Sequence, residues 1–320
     1  MTIDQYILNY YPTKVDKWFV EEVQTTRQKQ RIAEVQRYME YLRGSHKVFT
    51  REDGKFKNKS FMTRKIMAQN VKTIINFHTS YLVGNPIIIT GAENRVKHYQ
   101  EIYELGNYDF IDYQLVDKIN KFGDAYEYIY FDGGKIASRV IDPIEGYPVY
   151  GDAGEYLAFI QYYMVDAVCY YNVFYEDRVE SWKTEKAGTQ SLSLVNTSAN
   201  LTGLPIHYHN LNDMTPYFGE SMLRDMIPIM DEIEDVMSKF GDAIGTWALS
   251  PIPVVAGQRI ESSIPASAMG YILNLEEGSE FTIPATNLDT DSIKLYIETL
   301  KQMLLEISYT PAVVFSQQSI

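Results

Sequence analysis

The stretch Tyr81-Leu82-Val83-Gly84-Asn85-Pro86-Ile87 closes a helical run and opens a short extended one, Ile87 to Thr90. Gly84 and Asn85 tolerate positive φ and Pro86 forbids helix before it, so this tripeptide is a stop signal. The heptapeptide holds no nucleophile, no set of metal ligands and no glycine loop able to cradle a phosphate. Its reading is architectural: a helix running into a strand, with the rest of the fold built on either side.

Upstream, the spacing of Ile32, Val35, Met39 and Leu42 predicts a helix over 13–43, ended by Gly44. A second helix is expected over 61–83. Between Lys47 and Lys65, the basic residues Arg51, Lys55, Lys57, Lys59 and Arg64 outnumber Glu52 and Asp53. A solvated loop around Asp53-Gly54 is preferred there to a DNA-binding patch.

Downstream, 93–122 reads as helical, and then the period changes to two. Ala125–Phe131 is a predicted strand and Asp132-Gly133-Gly134 its hairpin turn. Extended runs at 136–141, 147–150, 156–164, 167–175, 178–183 and 205–209 complete one meandering antiparallel sheet. The Ser-, Thr-, Gly- and Asn-rich stretch 185–202 reads as an exposed loop.

The best-patterned helix follows. Met226, Met230, Ile233, Met237, Phe240 and Ile244 are spaced 4, 3, 4, 3, 4, a heptad seam suited to lengthwise packing on another helix. Pro228 is expected to kink its first turns. Its other faces carry Glu220, Asp225, Asp231, Glu232, Glu234, Asp235 and Asp242 against Arg224 and Lys239, an acidic surface. A second amphipathic helix runs from about Asp289 to Ser308, with Ile293, Ile297, Leu300, Leu304 and Ile307 as its buried stripe. The seam fits either the chain's own core or a neighbouring copy. Between the two helices lies a Pro-rich, strand-like insert, 250–285, expected at the tip of a helical hairpin. Ile252, Val254 and Val255, with Arg259 beside them, sit in a segment too small to bury them alone, so a docking surface is expected.

The chain has 320 residues, 45% hydrophobic and 22% charged, enough to bury a core in one large or two modest domains. Its 26 Tyr suit sheets and protein interfaces alike. One cysteine, Cys169, excludes an internal disulfide and most zinc motifs. No run approaches the roughly 18 apolar residues of a membrane helix, and the N-terminus lacks the pattern of a signal peptide. A protein that is soluble and cytoplasmic where it is made is the expectation. A net charge of −13 argues against gripping nucleic acid, yet suits a wall past which DNA slides.

The search for chemistry returns little. His207 and His209 share a face of one strand, but no third ligand stands near them in sequence. His46, His78 and His98 are isolated, and Cys169 sits in an apolar, Tyr-rich strand. Phosphate-binding loops and the nucleophile elbow are absent. The pentapeptide Lys121-Phe122-Gly123-Asp124-Ala125 recurs at 239–243, in different flanks. The expectation is no enzyme, no cofactor and no metal.

Six segments taken in order carry a resemblance. They are Asn58-Lys59-Ser60-Phe61 leading to Tyr81–Pro86; Lys121–Tyr128; Asp142-Pro143 leading to Val149-Tyr150; Ile160–Tyr163; Tyr175–Val179; and Gly203-Leu204-Pro205-Ile206 with Asn210. Together they resemble the portal proteins of tailed bacteriophages, the siphophage type. The resemblance implies an α+β portal-type protomer whose mixed helix and antiparallel-sheet wing spans 1–216, with the sheet at about 125–209. It implies a first stem helix at 218–247, a β-rich clip at 250–285 and a second stem helix at 288–308. Residues 309–320 would begin a tunnel loop, with Ser316, Gln317 and Gln318 facing DNA; the crown is missing, and the chain reads as shortened. The implied role is a ring of twelve subunits at one capsid vertex, passing double-stranded DNA without sequence preference. Implied partners are the large terminase, the head–tail adaptor, the scaffold and the major capsid protein, and no membrane. Two rivals are another head–tail adaptor or minor capsid protein, and a nuclease with acidic magnesium ligands.

Overall fold

A computed structural model describes residues 1–56, 59–185, 191–248, 254–256, 273–275 and 290–312. The fold is α+β, with helices and antiparallel sheets largely segregated along the chain. The chain divides into two compact units: Met1–Arg43 with Val71–Asp225, and Gly44–Asn70 with Met226–Ile320.

In the first unit α1 (Ile3–Tyr10) comes first, and a 3-10 turn (Val15–Lys17), α2 (Trp18–Glu22) and α3 (Thr26–Leu42) replace the single helix expected over 13–43. Around these breaks Ile7, Trp18, Phe19 and Val23 pack together onto a sheet. The next elements of this unit are α4 (Asn70–Val83), α5 (Glu93–Gly106) and α6 (Tyr108–Phe122). The last two, expected as one helix over 93–122, part at Asn107, whose φ of 52° is left-handed. After α4 the stop works through Pro86 alone: neither Gly84 nor Asn85 takes a positive φ. Ile87–Thr90 is part of no strand, so the extended run expected there joins no sheet.

The strands of this unit are β3 (Asp124–Asp132), β4 (Lys135–Ile141), β5 (Gly146–Tyr150), β6 (Tyr156–Val165), β7 (Val168–Phe174), β8 (Arg178–Thr184), β9 (Leu192–Ala199) and β10 (Ile206–His209). They form two sheets, not the one expected: β10-β3-β4, and β5-β6-β7-β8-β9. β9 falls in the stretch expected as a loop. Its residues, Leu-Ser-Leu-Val-Asn-Thr-Ser-Ala, carry a weak strand signal, and pairing with β8 recruits them.

Period-two alternation sorts the side chains into layers. Ala158 and Ile160 of β6 face Trp18, Phe19 and Ile7, while Phe159 between them meets Tyr126 and Ile141 of the smaller sheet. Ala125, next to Tyr126, points the other way, onto Ile111 and Leu115 of α6. The unit is therefore four layers: helices, large sheet, small sheet, helix. Tyrosines fill the pleat as cross-strand pairs; Tyr162 stacks on Tyr171 at 4.7 Å and Tyr163 on Tyr170 at 5.2 Å. Those stacks place part of the tyrosine excess in the large sheet.

In the second unit, β1 (Gly54–Phe56) and β2 (Lys59–Phe61) form a hairpin where a solvated loop was expected. α7 (Leu223–Ala248) runs into this unit at Met226, and α8 (Thr290–Ile307) is its other long helix. Short strands β11 (Val254–Ala256) and β12 (Leu273–Leu275) pair in parallel between the two helices in sequence. Among the described residues no helix is long and apolar enough to cross a membrane.

Candidate functional site

The junction between α6 and β3 explains two of the quoted motifs. Gly123 adopts φ 86°, and a Cβ there would stand 2.6 Å from the Gly219 carbonyl carbon. Only glycine admits that approach at low cost. The Asp124 Oδ1 atom accepts from the Gly219 backbone N–H at 2.8 Å and lies 2.8 Å from His207 Nε2. The Asn210 N–H donates to the Gly123 carbonyl at 2.9 Å, and its side-chain amide reaches the Ile119 and Glu220 carbonyls. The chain entering α7 is thus stitched to the end of α6. His207 Nδ1 is 2.6 Å from the Tyr150 hydroxyl. Burial pushes that phenol up to about 12, so it stays protonated and donates. Burial also lowers the His207 pKa, with Asp124 pulling the other way. The imidazole is neutral, donating from Nε2 and accepting at Nδ1, which is a structural bridge with both nitrogens occupied. Among the described residues no group of three His, Cys, Asp or Glu is placed to hold a metal.

On α7 the seam divides along its length. Met226, Met230 and Ile233 are fully buried, Met237 and Phe240 are half-buried, and Ile244 is 40% exposed. On α8, Leu300 and Leu304 are buried, Ile293 and Ile297 are half-buried, and Ile307 is 43% exposed. The Tyr296 hydroxyl donates to Glu232 of α7 at 3.2 Å. Both helices also expose apolar side chains, Leu295, Tyr296 and Met303 among them.

One face of α7 departs from its reading as an acidic, solvated surface. Glu234 and Ser238 are fully buried. The segment 62–69, which is in no helix or strand, covers them, although a helix was expected to begin at 61. Its backbone N–H groups donate outward: Arg64 to Asp242 Oδ1 at 2.7 Å, Ile66 to Ser238 Oγ at 2.9 Å and Ala68 to Glu234 Oε1 at 2.9 Å. The geometry is commensurate. Four helical residues rise about 6.0 Å, and two extended residues about 6.6 Å. Acceptors at 234, 238 and 242 therefore match donors at 68, 66 and 64, running antiparallel. Those N–H groups are spent on the ladder, which is why no helix forms before Asn70.

Two side chains lock the ladder. His46 Nδ1 lies 2.7 Å from Glu234 Oε1, both side chains fully buried. Arg51 donates to the Arg64 carbonyl at 2.6 Å and pairs with Asp242 at 3.2 Å and Asp235 at 3.4 Å. Arg51, expected in a solvated basic loop, is thus a clamp within the fold. Burial also holds the Asp231 carboxyl above its ordinary value, with Lys47 and His46 opposing. Sequence reasoning missed this group. Its one signal was the polar i, i+4, i+8 stripe of Glu234, Ser238 and Asp242 beside the seam.

Of the expected docking residues, Val254 and Val255 belong to β11, opposite Leu273 and Asn274 of β12. Ile252 and Arg259 lie outside the described residues, as do Ser316, Gln317 and Gln318.

The sequence matches the family described as "Phage portal protein, SPP1 Gp6-like" over residues 22–319, and the chain belongs to that family. The family is a structural one of the virion. No curated protein matches the chain. Two solved structures are similar to it. One is described as "Neck of empty GTA particle computed with C6 symmetry", at 13% identity and TM-score 0.35, covering 77% of this chain and 55% of that one. The other is described as "Virion of native gene transfer agent (GTA) particle", at 12% identity and TM-score 0.33, covering 81% and 60%. The chain therefore spans little more than half the length of either. Likeness at that level adds nothing to the family assignment.

Proposed function

We propose that this protein is the subunit of a homo-oligomeric ring at one capsid vertex, through which double-stranded DNA enters during packaging and leaves at ejection. The observation that carries the reading is the family match over 22–319. In this reading the sheet-bearing part is the wing, α7 and α8 are the two stem helices, and the insert between them is the clip. The large terminase docks on the clip during packaging and the head–tail adaptor afterwards. The scaffold and the major capsid protein meet the ring during assembly in the host cytoplasm. The half-buried and exposed members of the stem stripes, Met237, Phe240, Ile244, Ile293, Ile297 and Ile307, face the neighbouring subunit. Residues 316–318 line the channel, where uncharged side chains touch phosphate without the counterion-release affinity that lysine would add.

Electron microscopy of the purified protein tests the reading. Closed rings with a central channel support it. A protein that stays monomeric from micromolar to near-millimolar concentration, across low and high salt, overturns it. Magnesium-dependent cleavage of DNA by that protein would instead favour the nuclease alternative.

A further inference from the structure

We propose that residues 62–69 are a releasable latch on α7, able to lift off while the helix and the sheet unit stay folded. The inference rests on the second unit alone and does not depend on the ring. Three observations carry it. First, among the described residues 62–69 make no backbone–backbone hydrogen bond; the donors at 64, 66 and 68 are held only by side chains of one helix. Second, none of residues 62–69 is fully buried: Thr63, Ile66, Ala68 and Gln69 are half-buried and the others exposed, so the apolar area that anchors them is small. Third, the helix needs nothing from the strap for its own i to i−4 bonds. A segment held by a few polar contacts opens far more often than the global structure unfolds.

What the latch hides follows from the same contacts. Glu234 and Ser238 are fully buried beneath the strap and the His46 region, and Asp235 and Asp242 are held by Arg51. Lifting the strap strips Glu234, Ser238 and Asp242 of their backbone donors, leaving Glu234 to His46 and Asp235 and Asp242 to Arg51. The strap is also tied by the chain itself to α4, which begins at Asn70, and to the β1–β2 hairpin, which ends at Phe61. A pull on either neighbour is delivered to the ladder.

Hydrogen exchange of the full chain, read at residues 62–69, tests the proposal. In the wild type the Arg64, Ile66 and Ala68 amides are protected, but less than the amides of β6 and β7. Ser238→Ala removes the middle acceptor without changing charge. It speeds exchange of the strap roughly tenfold, the effect of about one hydrogen bond, and leaves α7 and the sheets unchanged. Arg51→Gln does the same through the Arg64 carbonyl. A disulfide between Ile66→Cys and Ser238→Cys, in a Cys169→Ser background, restores strap protection, and reduction abolishes it. Unprotected strap amides in the wild type would overturn the proposal. So would joint loss of protection in strap and α7, or failure of Ser238→Ala to fold, because the strap would then belong to one cooperative unit.

Discussion

At Asp124 a single carboxylate oxygen serves two clients, the Gly219 N–H and the His207 imidazole. Because burial lowers the His207 pKa, the unfolded chain takes up this proton more readily than the folded one. The contribution is therefore fully present above the ordinary histidine value of 6.5 and lost as pH falls through the lower folded value. The melting temperature of the sheet unit should begin to fall as pH drops below about 6.5. His207→Gln should flatten that slope; an unchanged slope would refute the assignment. Gly123→Ala forces a side chain into left-handed backbone against Gly219. It should cost about 1–3 kcal/mol in urea denaturation, whereas Gly133→Ala, with open space around its Cβ position, should cost less. Equal costs would mean that φ alone, and not the close approach, selects glycine at 123.

At the scale of elements, α7 is a helix of graded burial. Met230 is fully enclosed by its own chain, so Met230→Ala should destabilise the second unit by about 2–5 kcal/mol. Phe240 is only half-buried. Phe240→Asp should leave the sheet unit at 124–209 intact and act on association, seen as loss of rings with thermal stability of the sheet unchanged. If Phe240→Asp protein assembled normally, the outer part of the seam would not be a subunit contact. Pro228 sits six residues into α7, where it removes one intrahelical donor, yet the helix continues unbroken through Met230 and Ile233 into the buried part of the seam. Packing of that face outweighs the lost bond.

For the whole molecule the governing quantity is charge. Each chain carries −13, so copies brought together repel. If the ring reading holds, the ring fraction should rise from about 50 mM to about 500 mM salt as the Debye length shrinks. Sedimentation velocity at constant protein concentration checks this. A ring fraction that falls with salt would mean that opposite charges pair across the contact, despite the net sign.

Local patterns were legible where one short stretch decides the outcome by itself. Pro86 ends α4 wherever the helix lies, and the turn Gly133-Gly134 joins β3 to β4 as an antiparallel pair. The seam from Met226 to Phe240 was readable because helical periodicity is a property of one segment. The family was readable because its motifs are short and ordered along the chain. Long-range competition was not legible. Residues 62–69 have ordinary helical composition, but α7 offers their N–H groups better-placed partners, so they stay extended. Glu234 reads as a surface acid until His46 and the Ala68 N–H close over it. Ser- and Thr-rich 192–199 becomes strand because β8 presents an open edge. For the strap and for Glu234 the deciding hydrogen-bond partner lies far away in sequence, and only the tertiary structure brings it within 3 Å or so.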